Sequence, residues 1–348
     1  MQLSKYGTHR VIEPKGGLPQ AAIQLDATPI AYENEVLIDV DILNIDSASF
    51  HQIKNACQSD VKKMKQMIFD IVKVQGKMQN PVTKSGGMLI GEVKQVGPGF
   101  HNQTLKVGTK IATLVSLSLT PLYIERILSI NLENDQVKII GKAILFDSGI
   151  YAEIPHDLDE KLVLAALDVC GAPAQVEKLV KKGDTVFIIG AAGKSGILCA
   201  YQAKKQVGPL GKVIGLVNEE EQKQLLETLN IYDVIILENA KQSMDVYEAV
   251  SKVTQNRLAD VTFNVVNVEH TEMTSILATK DLGIVYFFSM ATSFTRAALG
   301  AEGIGKDVTM MIGNGYTKGH AEFTLNLMRS EPVLRDLFMK RYALEATQ

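Results

Sequence analysis

Residues 185–196 read Thr185-Val-Phe-Ile-Ile-Gly190-Ala191-Ala192-Gly193-Lys194-Ser195-Gly196. The unbroken apolar run Val186–Ile189 suits a strand buried on both faces, as in a parallel sheet. Gly190 permits a tight turn, Gly193 leaves bare backbone that a phosphate can approach, and Gly196 allows the following helix to pack closely on the strand. The helix start presents unsatisfied N–H groups and a positive dipole end, which favour an anion such as a pyrophosphate. The spacing is G-x-x-G-x-x-G rather than G-x-G-x-x-G, so the weight falls on the strand before it and the helix after it. Two rivals stand beside this reading. Gly193-Lys194-Ser195 has the end of a nucleoside-triphosphate loop, but that loop needs a glycine where the chain has Ile188. A glycine turn that binds nothing is the other.

Beyond this turn the period stays that of alternating strands and helices. Strands are expected at Lys212–Val217, Asp233–Leu237, Ala259–Val266, Gly283–Ser289 and Asp307–Ile312, with helices at Ser195–Gln206, Glu219–Leu229, Ser243–Thr254 and His270–Thr279. Repeated βα units require right-handed crossovers and a six-stranded, doubly wound parallel sheet, a Rossmann arrangement. Such a fold usually ends its second strand in an acid that binds the ribose. Here that place is Asn218, followed by Glu219, Glu220 and Glu221, with no cation before Lys223. Acids repel a ribose phosphate, so NAD is preferred, with NADP as the alternative. Val266 and Ser289, closing the fourth and fifth strands, complete the cofactor candidates with residues 190–196 and Asn218.

Ahead of residue 170 the texture differs. Glu35–Ile42, Leu89–Val96, Lys110–Leu117 and Gly149–Ile154 read as strands separated by turn residues. His51–Val74 breaks in as one or two helices, with Met64, Met67, Ile68 and Ile71 on one face; core packing is the ordinary role of such a stripe. The tail Ala321–Tyr342 is amphipathic and helical. The boundaries expected are 1–170, 171–315 and a closing segment 316–348.

The chain's 348 residues match two domains of about 100–200 residues each. Its 46% hydrophobic and 22% charged content is globular. The net charge of -3 offers no cationic footprint for nucleic acid. No apolar run approaches the roughly 18 residues of a membrane span, and Met1–Arg10 lacks a signal core, so a cytoplasmic protein is expected. Cys57, Cys170 and Cys199 are too few and scattered for a disulfide framework.

Gly91-Glu-Val-x-x-Val96-Gly97, Lys106-Val-Gly108-Thr-Lys-Ile111 and the Gly190 turn together resemble the medium-chain dehydrogenase/reductase superfamily. That resemblance implies a GroES-like β-rich catalytic domain carrying the helical insert, a Rossmann domain, a C-terminal segment that returns to the first domain, and a homodimer or homotetramer. The opening Tyr6–Pro19 and the closing Met311–His320 are more specific. They resemble the L-erythro-3,5-diaminohexanoate dehydrogenases of bacterial lysine fermentation, a zinc-free family of that superfamily. This likeness alone implies the reaction: NAD(P)-dependent oxidative deamination at a CH–NH2 group, giving 5-amino-3-oxohexanoate and ammonia. A zinc-independent quinone, enone or carbonyl reductase fits the glycine turn equally well, and a non-catalytic nucleotide-binding relative is the third reading.

The superfamily's zinc pattern, laid on this chain, falls on Asp46, Gly87 and Cys170. One soft ligand of three remains, where zinc wants three protein ligands, so no metal is expected. Amine oxidation passes through an iminium, already electrophilic, and needs a carboxylate or imidazole within hydrogen-bond reach. Asp46 and His51 are the catalytic candidates, against a helix-cap aspartate and an ordinary imidazole. The substrate has two ammonium groups and a carboxylate. His9, Arg10 and Glu13 could bind them or could form a solvated face; Glu92 and Tyr316 are further candidates whose direction the sequence leaves open.

Overall fold

The computed structural model describes residues 3–289, 291–313 and 315–343. It forms two compact units, the first running to Leu164 and the second spanning Ala165–Ala343.

In the first unit the elements are β1 (Val11–Glu13), β2 (Gln24–Leu25), β3 (Glu35–Ile45), α1 (Ser47–Ala56), α2 (Val61–Gln75), β4 (Gly87–Val96), β5 (Lys110–Thr113), β6 (Leu122–Asn131), β7 (Gln136–Phe146) and β8 (Tyr151–Glu153). Six of these strands make an antiparallel sheet in the order β6-β7-β3-β4-β5-β8. Central β3 buries Val36, Ile38, Val40, Leu43 and Ile45, flanked by β4 and β7. Against the same core lie Phe50 and Ile53 of α1 and Met64, Ile68 and Val72 of α2, so the methionine stripe is packing. Burying each of those side chains contributes about 1.5–3 kcal/mol. The insert is thus two helices, and the first begins at Ser47, ahead of the expected start.

Aspartates open both helices. Asp46 accepts the Ser49 N–H, and Asp60 accepts those of Lys62 and Lys63. Helix α2 ends at Gly76, in the left-handed region with φ 66°, where a Cβ would stand 2.1 Å from the Leu25 carbonyl oxygen. No other residue type fits there.

The second unit begins inside α3 (Glu160–Leu167) and continues through α4 (Gly171–Leu179). Its strands are β9 (Thr185–Ile189), β10 (Lys212–Val217), β11 (Val234–Leu237), β12 (Ala259–Asn264), β13 (Thr279–Phe287) and β14 (Thr309–Ile312). They form a six-stranded sheet in the order β11-β10-β9-β12-β13-β14, parallel at every pairing. The helices are α5 (Lys194–Val207), α6 (Glu220–Leu229), α7 (Ser243–Thr254), α8 (Glu272–Ala278), α9 (Phe294–Gly303), α10 (His320–Ser330) and α11 (Pro332–Phe338), followed by a π-helical turn Met339–Ala343. The described part of the closing segment, through Ala343, belongs to this unit, where the Thr324 hydroxyl donates to the Cys170 carbonyl. Its last residues lie outside the described residues. No described helix is long and apolar enough to cross a membrane.

Candidate functional site

Strand β9 sits mid-sheet, with β10 on one side and β12 on the other. The chain therefore reverses its winding between β9 and β12, and the crevice beyond their C-terminal ends is where ligands of such sheets bind. Gly190 leaves β9 into that crevice with φ 89°, and a Cβ on it would lie 3.0 Å from the Cα of Val266. A Cβ on Gly196 would meet the Gly190 carbonyl oxygen at 2.3 Å. Packing thus demands the first and third glycines. Gly193 is different: it is exposed, and its Cβ would have only the Gly190 oxygen nearby, at 3.5 Å.

The turn is held from below by a residue the sequence reading did not single out. The phenol of buried Tyr232 is shared between the carbonyls of Ala191, at 3.1 Å, and Gly196, at 3.0 Å. Burial drives that phenol's pKa far up, so it stays a donor. Gly215 on β10 makes room for it, since a Cβ there would stand 2.8 Å from the Tyr232 ring. A glycine inside an otherwise apolar stretch of strand, Val213–Val217, was the sequence's signal of this close approach. The N–H groups of Gly190 and Ala191 both reach the Leu216 carbonyl, tying the turn to β10.

These features fit a dinucleotide's pyrophosphate. Helix α5 opens at Gly193 with no side chain capping its first turn, so its N–H groups face outward beside bare backbone. Ala191, Ala192 and Ser195 are buried beneath, and Lys194 pairs with Asp168 at 2.5 Å. Asn218 is exposed at the end of β10, Val266 is half-buried after β12, and Ser289 is half-buried after β13. Since the strands are parallel, all of these candidates share one edge of the sheet.

In the first unit, Asp46 is both cap and candidate. Its Oδ1 accepts the Ser49 N–H at 3.0 Å, while Oδ2 is buried with no hydrogen-bond partner. An orphaned buried acceptor costs about 1–3 kcal/mol, more when charged, so a donor brought by a ligand would be well received. Ser49, fully buried, shares hydroxyl bonds with Thr83 at 2.6 Å and Ser85 at 2.9 Å. At position 87, where zinc enzymes of the superfamily carry histidine, a Cβ would meet the Asn44 oxygen at 2.1 Å and the Asp46 nitrogen at 2.8 Å. His51 is exposed; its Nδ1 donates to the Ser47 carbonyl at 2.9 Å, which leaves Nε2 as the basic nitrogen. No hydrogen bond links Asp46 to His51.

The substrate candidates need correction. Arg10 and His9 are structural. All five Arg10 donors are engaged, by Glu35 twice and by the carbonyls of Asp26, Thr28 and Ile30. His9 Nδ1 accepts the Ser4 N–H, so Nε2 donates to Glu35 at 2.8 Å. Neither has a donor left for a carboxylate. Glu13 and Glu92 are exposed on β1 and β4, and Tyr316 is exposed with its ring edge-on to His320 at 5.2 Å. Two cavities open on the first unit, of about 540 and about 170 Å³, and His9, Arg10, Glu13, Asp46, His51 and Glu92 line neither.

Among the described residues, no group of three or more His, Cys, Asp or Glu side chains could hold a metal ion. Burial pushes the Cys170 thiol up to about 12, which disfavours the thiolate a metal needs.

Residues 9–155 match the family model of the L-erythro-3,5-diaminohexanoate dehydrogenase N-terminal domain. The chain is 57% identical over 343 residues to the L-erythro-3,5-diaminohexanoate dehydrogenase of Acetoanaerobium sticklandii, covering 98% of this chain and 100% of that one. It is 57% identical to the enzyme of the same name from Fusobacterium nucleatum subsp. nucleatum, over 97% of this chain and 98% of that one. Among solved structures, Escherichia coli quinone oxidoreductase complexed with NADPH is similar in fold, with a TM-score of 0.53 at 16% identity over 96% of this chain and 89% of that one.

Proposed function

The chain belongs to the L-erythro-3,5-diaminohexanoate dehydrogenase family, and on that premise we propose that it oxidises this diamino acid with a pyridine dinucleotide. The observation that carries the reading is identity of 57% across 98% of the chain. The amine at C3 is replaced by a ketone: two electrons and a proton leave as hydride, water supplies the oxygen, and ammonia departs. The dinucleotide, when bound, accepts the hydride. We place its pyrophosphate on the Gly190–Gly196 turn, its adenosine ribose near Asn218, and its nicotinamide end toward Val266 and Ser289. The acids after Asn218 favour NAD over NADP.

In this reading Asp46 Oδ2 receives the proton of the C3 ammonium, for which its lack of any other partner suits it. His51 Nε2 accepts a proton from the added water or passes it to solvent. Reactions of this type proceed without a Lewis acid because the carbon–nitrogen double bond is already polarised, and the donor set around Asp46 does not favour zinc. The exposed edge of β14, with Ile312 and the nearby exposed Phe294 and Leu299 of α9, suits pairing with a second copy in a homodimer or homotetramer. The same proposal carries a role in lysine fermentation, in the cytoplasm.

The test is direct. The purified chain is mixed with L-erythro-3,5-diaminohexanoate and NAD or NADP. Reduced cofactor and ammonia should appear one to one. Reduction of a quinone by NADPH, with no turnover of the diamino acid, would replace this reading by the reductase one.

A further inference from the structure

We propose that Lys84, on the turn that closes against the start of α1, binds the carboxylate of the diamino acid. The inference rests on the reaction assigned above and names a residue that reads its substrate. A carboxylate taken from water needs a cation or several donors. Arg10 and His9 have no donor free, so another group must supply them.

The turn 80–85 is built around Asn80, which is fully buried. Asn80 Oδ1 accepts the N–H groups of Val82, at 2.8 Å, and Thr83, at 3.3 Å. Its Nδ2 donates to Gln52 Oε1, at 2.8 Å, and to the Ser49 carbonyl, at 3.3 Å, which ties the turn to α1. Its backbone closes the turn: the N–H donates to the Ser85 carbonyl and the carbonyl accepts the Lys84 N–H, both at 2.9 Å. The hydroxyl bonds of Ser49 with Thr83 and Ser85 fasten the turn a second time. Lys84 is thereby held in the left-handed region, with φ 61°, where a lysine rarely sits. Such backbone persists only where the surroundings over-determine it, and it gathers at ligand clamps.

The Lys84 side chain is exposed, and among the described residues no carboxylate pairs with it. Its neighbour gives that free charge a use. Two residues on, the Gly86 carbonyl accepts the Asp46 N–H at 3.3 Å, so the turn runs directly into the segment that carries the unpartnered Asp46 Oδ2. An acceptor for an ammonium and an unpaired cation therefore stand on adjoining, rigidly joined pieces of chain. The substrate presents the matching pair. Its C3 nitrogen and its carboxyl carbon are three bonds of about 1.5 Å apart, so the two charges lie within about 5 Å of each other. The flexible four-carbon stem of lysine lets its ammonium meet the carboxylate at that spacing. A carboxylate held there brings the C3 amine to Asp46 and leaves the C5 amine, two carbons farther along, beyond it.

The experiment measures initial rates at saturating NAD with two probes, L-erythro-3,5-diaminohexanoate and its primary amide at C1. The proteins are wild type, Lys84→Gln, Lys84→Arg and Lys73→Gln. Lys73 is another exposed lysine of the same unit, on α2, and serves as the charge control. For the acid, Lys84→Gln should raise KM about 10- to 100-fold, the loss of one hydrogen bond to a charged group, and leave kcat within about threefold. Lys84→Arg should restore most of that affinity, and Lys73→Gln should behave as wild type. The amide has no charge to lose. Its kcat/KM, or its inhibition constant against the acid where turnover is slow, should be the same in wild type and Lys84→Gln. The KM for NAD should be unchanged throughout. Thermal melts establish that each variant is folded, and Lys84→Met takes the place of the glutamine variant if that one is not. A wild-type KM for the acid in Lys84→Gln, an equal loss on acid and amide, or the same rise in Lys73→Gln overturns the proposal and leaves the assigned reaction intact. If wild type itself does not oxidise the acid, the reaction and the proposal fall together.

Discussion

Arg10 and Glu35 lie 25 residues apart in sequence and meet in a two-point ion pair, Nε to Oε1 at 2.9 Å and Nη2 to Oε2 at 2.6 Å, with both side chains shielded from water. The Glu35 oxygens are saturated as well, taking His9 Nε2 and the Tyr32 N–H. Removing one member of such a pair leaves an uncompensated buried charge, worth about 3–5 kcal/mol. Arg10→Met should therefore lower the unfolding free energy by that amount in denaturant titration. At temperatures where the variant is folded, its KM for the diamino acid should stay within about twofold of wild type. A KM raised a hundredfold, with stability unchanged, would return Arg10 to the substrate pocket.

That pair also shows what the sequence could not carry. Strands β9, β10 and β12 are buried on both faces, and they stand out, with the more exposed β11, β13 and β14, as apolar runs between helical stretches. The β6–β7 hairpin escaped because β6 is exposed along much of its length and carries Glu125 and Arg126, which weaken the alternation. Helix α3, α4 and α9 were missed for a related reason: their small residues, such as Ala165, Ala166, Ala172, Ala174, Ala297 and Ala301, give little amphipathic contrast. In the site, the glycine turn was legible because backbone geometry is written in residue type. Arg10 was misread because whether a charge faces solvent or closes on a distant partner depends on contacts that no local pattern encodes. Tyr232 acts from outside the turn, through contacts made only by the folded chain.

The three glycines of the turn should separate experimentally. Gly193→Ala keeps an allowed backbone, φ -75° and ψ 168°, and its Cβ meets nothing closer than 3.5 Å. Its melting temperature should stay within a few degrees of wild type while the Kd for NAD rises about tenfold or more, because the methyl intrudes where a phosphate oxygen approaches. Gly196→Ala should instead destabilise the protein by about 1–3 kcal/mol, since its Cβ overlaps the Gly190 carbonyl at 2.3 Å. Unchanged NAD affinity in Gly193→Ala would remove the pyrophosphate from this turn.

Lys77 supplies a pH signature. It is fully buried, with its ammonium donating to the carbonyls of Pro19, at 2.9 Å, and Gln20, at 3.4 Å. Burial pushes its pKa down to about 8 from the ordinary 10.5. Between those values the unfolded chain holds the proton more tightly than the folded one, so this group makes stability rise with pH. Below about 8 both states are protonated and the burden of burying the charge is present in full. One such proton gives at most about 1.4 kcal/mol per pH unit. In urea titrations at pH 7 to 10, wild type should gain on Lys77→Met by about 1–3 kcal/mol over that range. A constant difference between the two proteins would mean that Lys77 titrates normally.

Asp46 has two roles to separate, and the conservative substitution separates them. Asparagine is as good an N-cap as aspartate, so Asp46→Asn should keep the bond to the Ser49 N–H and the start of α1. It cannot take up a proton at the amide oxygen in the range where a carboxylate can. Asp46→Ala loses the cap as well and should cost about 1 kcal/mol of stability. If Asp46 is the acceptor for the substrate's ammonium proton, both variants should lower kcat by about a hundredfold or more, with only the alanine variant also losing stability. His51→Ala, at an exposed position whose one bond is to the Ser47 carbonyl, should leave stability within about 0.5 kcal/mol of wild type and lower kcat by at least tenfold. Initial rates with diamino acid and NAD, set beside thermal melts of the same preparations, read both quantities. Full turnover in Asp46→Asn would reduce Asp46 to a helix cap and move the proton acceptor elsewhere in the chain.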